Sequence, residues 1–173
     1  RPWVGPAGIE ALRAFTAAGL NRGSANWRNL LCCEPENGNL EATRAEARAE
    51  GLLDPIEACA PRLRAEMAHT TQIVTAGAEA ARRLIPGVTG GILDFRGNVV
   101  DVPAGIPSPE MPARKIVPTV NPAFTLRSPR FRTAFYGDIA RALRHFRGTL
   151  DWTAPRAWHR PSIGQLRAFF AQP

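Results

Sequence analysis

The run NWRNLLCC, Asn26 to Cys33, with the turn Glu34-Pro35-Glu36-Asn37-Gly38-Asn39 after it, decides the fold class. Trp27, Leu30 and Leu31 are apolar, and the run is short. Gly23 bounds it on one side and the turn on the other. That pattern predicts a buried strand of a parallel sheet. In open α/β sheets, ligands sit beyond the carboxyl ends of the strands. The chemistry is therefore expected around Asn29, Cys33 and the loop that follows.

Outward from this run, the chain alternates helical and strand-like patterns, which argues for an α/β fold. Residues 1–8 form a Pro/Gly-rich loop containing Trp3. Ile9, Leu12, Phe15 and Thr16 fall at helical spacing, and Gly19 ends that helix. Residues 40–50 favour helix but carry Glu and Arg on every face, which predicts a solvated surface helix. Asp54-Pro55 reads as an N-cap followed by Pro at the first helical position. Ile56, Cys59, Leu63 and Met67 then share a face. Gln72 to Ala76 reads as a second buried strand, with Gly77 turning into a helix over 78–85.

Residues 86–103 mix turn signals with strand-like pieces at Ile92–Phe95 and Val99–Val102. The Pro-rich stretch 104–114 reads as a loop. Lys115 to Val120 reads as a third core strand ending at Asn121-Pro122. Phe131, Phe135, Ile139, Leu143 and Phe146 form the buried stripe of a last long helix. One domain is expected over 1–148. Residues 149–173 read as a linker and a short helix capped by Ser162, either a tail packed on the domain or the start of a further domain.

The chain has 173 residues and a hydrophobic fraction of 45%, enough for one α/β domain with a real core. Its net charge is +7, and Lys115 is its single Lys. Arg suits phosphate recognition, so the excess favours an anionic partner, nucleic acid first. A GC-rich genome that writes Arg for Lys would give the same composition. No apolar run approaches the ~18 residues of a membrane span. Three cysteines, Cys32, Cys33 and Cys59, argue against a disulfide framework and for a reducing, cytoplasmic setting. There is no GxxxxGK[ST] or GxGxxG phosphate loop, which weakens the reading of a nucleotide-binding α/β protein. A monomer is expected.

Several pieces, in order, carry a resemblance: WVGPAG (3–8), RNLLCCEP (28–35), EACAPRL (57–63), IVTAGAEAARRL (73–84), FRG (95–97), VPTVNPAF (117–124) and LRSPRF (126–131). The series resembles the uracil-DNA glycosylase superfamily, nearest to its iron–sulfur type, usually called family 4. There the pieces read PFVGPAG, TNVVKCRPP, a Cys opening a helix, a VALG-type strand and THPSYLLR. The resemblance implies a three-layer α/β/α sandwich with a central, mostly parallel sheet, here lacking its first strand. It also implies DNA as partner and hydrolysis of the N-glycosidic bond of deoxyuridine by base flipping.

The resemblance assigns roles residue by residue. Trp3 takes the place of the aromatic residue that stacks on uracil, usually Phe; packing of its own loop is the other reading. Asn29 takes the place of the Asn that reads the base edge. An amide can accept from uracil N3–H and donate to O4, a pattern that cytosine reverses. A strand-end Asn satisfying local backbone is the alternative. Asn121 stands where the family has the His that donates to the base O2; the mismatch-specific glycosylases of the superfamily carry Asn there. It is also a turn residue before Pro122.

Phe124, Leu126 and Arg127 take the place of the loop that enters the minor groove, where an apolar wedge fills the gap left by the flipped base. Arg127, Arg130 and Arg132 are phosphate candidates. Cys33 and Cys59 match two of the four thiolates of a [4Fe–4S] cluster. The two others are absent, and three buried free thiols are the alternative reading. The segment 40–50 looks like an insertion between them. Asp94, Asp101 and Asp138 read as solvated turn or helix-surface groups, and no water-activating carboxylate is assigned. A non-catalytic DNA-binding module with the same fold is the alternative function.

Overall fold

A computed structural model describes residues 3–150, 162–164, 167 and 171. The expected linker and terminal helix lie mostly outside the described residues. The order is α1 (Pro6–Ala17), α2 (Leu40–Ala49), α3 (Pro55–Met67), β1 (Gln72–Ala76), α4 (Ala78–Leu84), α5 (Ile92–Phe95), β2 (Val100–Val102), β3 (Arg114–Thr119), α6 (Pro122–Arg127) and α7 (Arg132–Phe146). The mixed α/β class holds.

The sheet has the order β1-β3-β2. β1 runs parallel to β3, with Gln72 opposite Lys115 and Ala76 opposite Thr119. β2 is antiparallel to β3, with Val100 opposite Ile116. β3 is the central strand, and four of its six residues, Ile116 to Thr119, are buried in succession. That is the pattern of a strand covered on both faces.

The alternation of side chains along a strand sends Ile73 and Val74 to opposite faces. Ile73 and Ile116 pack with Leu63 and Met67 of α3 and with Ala81 and Leu84 of α4. Val74 packs with Ala11 and Ala14 of α1 and with Phe135, Ile139 and Leu143 of α7. Helix boundaries follow local chemistry. The Asp54 side chain accepts from Ile56 N–H at 2.8 Å and opens α3. Asn39 does the same for α2 through Ala42 N–H at 3.1 Å. α2 buries no residue, as its charge pattern predicts. Arg44 ties it down through Asp54 and Glu79, each at 2.9 Å.

Two expectations fail. Residues 26–33 are not a strand, and Asn29, Cys32 and Cys33 are exposed. Polar groups that a ladder would pair find side-chain partners instead. Arg62 of α3 donates Nη2 to Asn29 O at 2.7 Å. Cys32 N–H points at Cys59 Sγ at 3.3 Å. The Ile92–Phe95 piece is a helical turn, α5, because Asp94 Oδ2 accepts from Gly91 N–H at 2.8 Å and caps it. No helix among the described residues is long and apolar enough to cross a membrane.

Candidate active site

A cavity of about 1360 Å³ opens between residues 24–35 and β1. Trp3, Asn29, Cys33, Gly77, Thr119 and Asn121 all line it. The topology explains the meeting. β1 and β3 run parallel, so their carboxyl ends, Gly77 and Asn121, arrive side by side. The 26–33 segment and the loop carrying Trp3 form the opposite wall.

Asn121 is the best-defined of these side chains. It is the N-cap of α6, and its Oδ1 accepts from Ala123 N–H at 2.8 Å. An amide whose oxygen is held this way presents its Nδ2 as the free end, a donor. A Cβ on Gly77 would meet Asn121 Cβ at 3.4 Å and Nδ2 at 3.7 Å. Gly77 also has φ +98°, a conformation that side chains disfavour. Its N–H donates to Thr119 O at 2.8 Å, stitching the two strand ends together. The turn-residue and pocket-residue readings of Asn121 therefore coexist: the cap orients the amide.

Trp3 is half-buried and sits at φ +63°, which is costly for a large side chain. Three neighbours hold it there. Its Nε1 donates to Arg28 O at 3.2 Å. Arg22 Nη1 donates to Trp3 O at 3.2 Å. Gly8 passes beneath, and a Cβ there would overlap the Trp3 backbone. The indole also lies 5.7 Å from Trp27, tilted by 59°.

Asn29 follows Arg28 directly, so the Trp3 hydrogen bond ties together the two segments that form this wall. The Asn29 side-chain amide makes no hydrogen bond among the described residues, whereas its carbonyl is fixed by Arg62. Arg62 is held in turn by Glu66 at 2.7 Å. The residue reads as a backbone-anchored, side-chain-free position, and not as the end of a central strand.

Beyond Asn121, Phe124 packs against Phe131 at 4.9 Å between ring centres, the rings tilted by 33°. Leu126 is exposed at 46%. Arg130 lies over Phe131 at 4.8 Å, and Arg127 forms no ion pair among the described residues. Arg132 is half-exposed and tied into the fold. It grips the buried Glu10 of α1 through Nε at 2.5 Å and Nη2 at 2.7 Å.

The thiols also depart from the expected burial. Cys32 and Cys33 are exposed and Cys59 is half-buried. Cys32 has its pKa raised by desolvation and by its hydrogen bond with Cys59, with Arg62 opposing. The contact brings the 32–33 pair to the side of α3 that carries Cys59. Among the described residues, however, no three metal-ligating side chains converge. By themselves these residues do not form a four-thiolate site.

Three carboxylates line the cavity: Glu34, Glu66 and Glu79. Glu66 is engaged by Arg62 and Arg28, and Glu79 by Arg44 and Arg82. Glu34 forms no ion pair among the described residues; sequence reasoning passed over it as a turn residue. Asp138, expected on the surface, is buried. Asp101 sits on the strand β2, paired with Lys115, and Asp94 caps the α5 turn through Gly91 N–H.

The uracil DNA glycosylase superfamily model matches residues 1–144. A type-4 uracil-DNA glycosylase from Thermotoga maritima is 31% identical over 146 residues, covering 82% of this chain and 67% of that protein. The chain therefore belongs to the uracil DNA glycosylase superfamily, and within it is similar to the type-4 members.

Proposed function

We propose that the protein is a uracil-DNA glycosylase, hydrolysing the N-glycosidic bond of deoxyuridine in DNA. The observation that carries this reading is the Asn121 amide, locked with its donor end free on a cavity that Trp3 and Asn29 also line. In this mechanism the deoxyuridine leaves the stack and enters the cavity. The Trp3 ring offers a π-face. The Asn29 amide accepts from N3–H and donates to O4. As the bond to C1′ breaks, its electron pair goes to the base, and negative charge grows on O2. Asn121 Nδ2 donates to that oxygen, the kind of preorganised contact worth roughly 10²–10³ in rate. Water adds to C1′ and gives up a proton, and an abasic site remains.

Phe124 and Leu126 fill the gap in the duplex, while Arg127 and Arg130 hold phosphates. The domain is proposed to span 1–148. The open edge of β1, which has no strand neighbour among the described residues, faces the cavity. Along Gln72–Ala76 we read it as the seat of a further parallel strand, completing a three-layer α/β/α sandwich with a mostly parallel sheet, and leaving the Gly77 and Asn121 end of the cavity to the deoxyuridine. Cys33 and Cys59 are proposed as this stretch's share of a [4Fe–4S] cluster, which needs two further thiolates. No step of the chemistry is routed through it.

Two features favour a second reading. Asn121 cannot carry the positive charge of the family's His, and no carboxylate is assigned to activate water. A non-catalytic DNA-binding module would keep the fold and the basic face. Uracil release from a uracil-containing oligonucleotide by the full-length natural protein separates the two: release supports the enzyme, and DNA binding without release supports the module.

A further inference from the structure

Asp138 has no place in the chemistry above and does not reach the cavity. It is nevertheless 4% exposed, in the middle of α7. A buried carboxylate is costly unless its lone pairs are filled. Here they are. Arg96 donates Nε to Oδ2 at 2.9 Å and Nη2 to Oδ1 at 2.6 Å. Thr119 Oγ1 donates to Oδ2 at 2.7 Å. A Cβ on Gly97 would come within 2.5 Å of Oδ1, so the Arg96-Gly97 turn fits only as written.

The same turn grips the end of β3. Gly97 N–H donates to Pro118 O at 2.7 Å, and Gly77 N–H donates to Thr119 O. Pro118 and Thr119 are thus held by one side-chain and two backbone hydrogen bonds. Asn121 follows two residues later. An Arg96–Asp138 pair alone would need no hydroxyl at position 119, where relative exposure is 0% and Val would fill the space. The hydroxyl links the pair to the strand end that carries the donor.

We propose that Asp138 and Thr119 are positioning residues, which set the reach of Asn121 Nδ2 into the cavity. The role presupposes the glycosylase activity proposed above. Thr119→Val removes one hydroxyl and leaves the Arg96–Asp138 pair intact, so it is the main probe; Asp138→Asn is the second. Single-turnover uracil release is measured with the full-length natural protein, with and without Asn121→Ala.

Thr119→Val is expected to lower kcat roughly 10–100-fold, with KM unchanged, since small misplacements of a reacting contact cost that much. In the Asn121→Ala background it is expected to cost nothing further, because both changes remove the same contact. An equal fractional loss in both backgrounds, or no loss in either, overturns the proposal. Asp138→Asn should follow the same pattern of non-additivity. If the unaltered protein releases no uracil, the glycosylase reading has failed, and the positioning claim is read from NMR. Thr119→Val should then move the Asn121 side-chain amide resonances, and unmoved resonances overturn it.

Discussion

Asn121 Oδ1 accepts from the backbone N–H of Ala123 at 2.8 Å, so the amide that starts α6 also lines the cavity, with its Nδ2 unpaired among the described residues. The two duties separate in one substitution. Asp caps helices as well as Asn does but has no N–H to offer. Asn121→Asp should keep the melting temperature and lower uracil release roughly 10²–10³-fold. Asn121→Ala should add a stability loss of about 1 kcal/mol, seen in denaturant titration.

Trp3 donates to the carbonyl of Arg28, the residue before Asn29. Trp3→Phe keeps the π-face and drops that hydrogen bond; Trp3→Ala drops both. Base–aromatic stacking is worth about 1–3 kcal/mol. Trp3→Ala should weaken kcat/KM accordingly, and Trp3→Phe by clearly less. Equal losses would mean that the indole only packs its loop.

Arg127 and Arg130 should act on DNA irrespective of sequence. Replacing both with Ala is expected to weaken binding and to flatten the dependence of log affinity on log salt, by about 0.7–0.9 for each phosphate that is no longer neutralised. Arg132→Ala should instead unfold the protein more easily, because it leaves the buried Glu10 with only the longer 3.9 Å contact to Arg13. Salt titrations of binding and thermal melts distinguish the two classes.

Burial raises the pKa of Asp138 above the ordinary carboxylate value, against the opposing Thr119 and Arg96 contacts. As pH rises from that ordinary value to the raised one, the unfolded chain has already lost the proton that the folded chain keeps. This group's contribution therefore falls with rising pH across that window and is level above it. Asp138→Asn should remove that fall, although it lowers stability at every pH. Denaturant titrations across the acid range compare the two slopes.

Much of this architecture is legible in the residues themselves. Gln72–Ala76 stands out as a short β-branched run before Gly77, and Asp54-Pro55 marks the start of α3 by cap chemistry alone. Residues 26–33 mislead because a short apolar run has no period to betray it. The carbonyls of Asn29 and Leu30 and the N–H of Cys32 find partners in Arg62 and Cys59, distant in sequence. The burial of Asp138 is legible in the helix period: it lies three residues after Phe135 and four before Ala142, both buried on α7. A charged residue on the buried face of a helix needs a partner, but its Arg96 partner is 42 positions away. Trp3, Asn29 and Asn121 come from resemblance; their common cavity depends on long-range packing that no local pattern encodes.

The most direct test is uracil release from a uracil-containing oligonucleotide by the full-length natural protein, beside its Asn29→Asp and Asn121→Asp variants. Excision by the unaltered protein is expected, lost or redirected towards cytosine in Asn29→Asp and strongly slowed in Asn121→Asp. Tight DNA binding by all three, with no base released at any enzyme concentration, would contradict the account and leave a glycosylase fold that only binds.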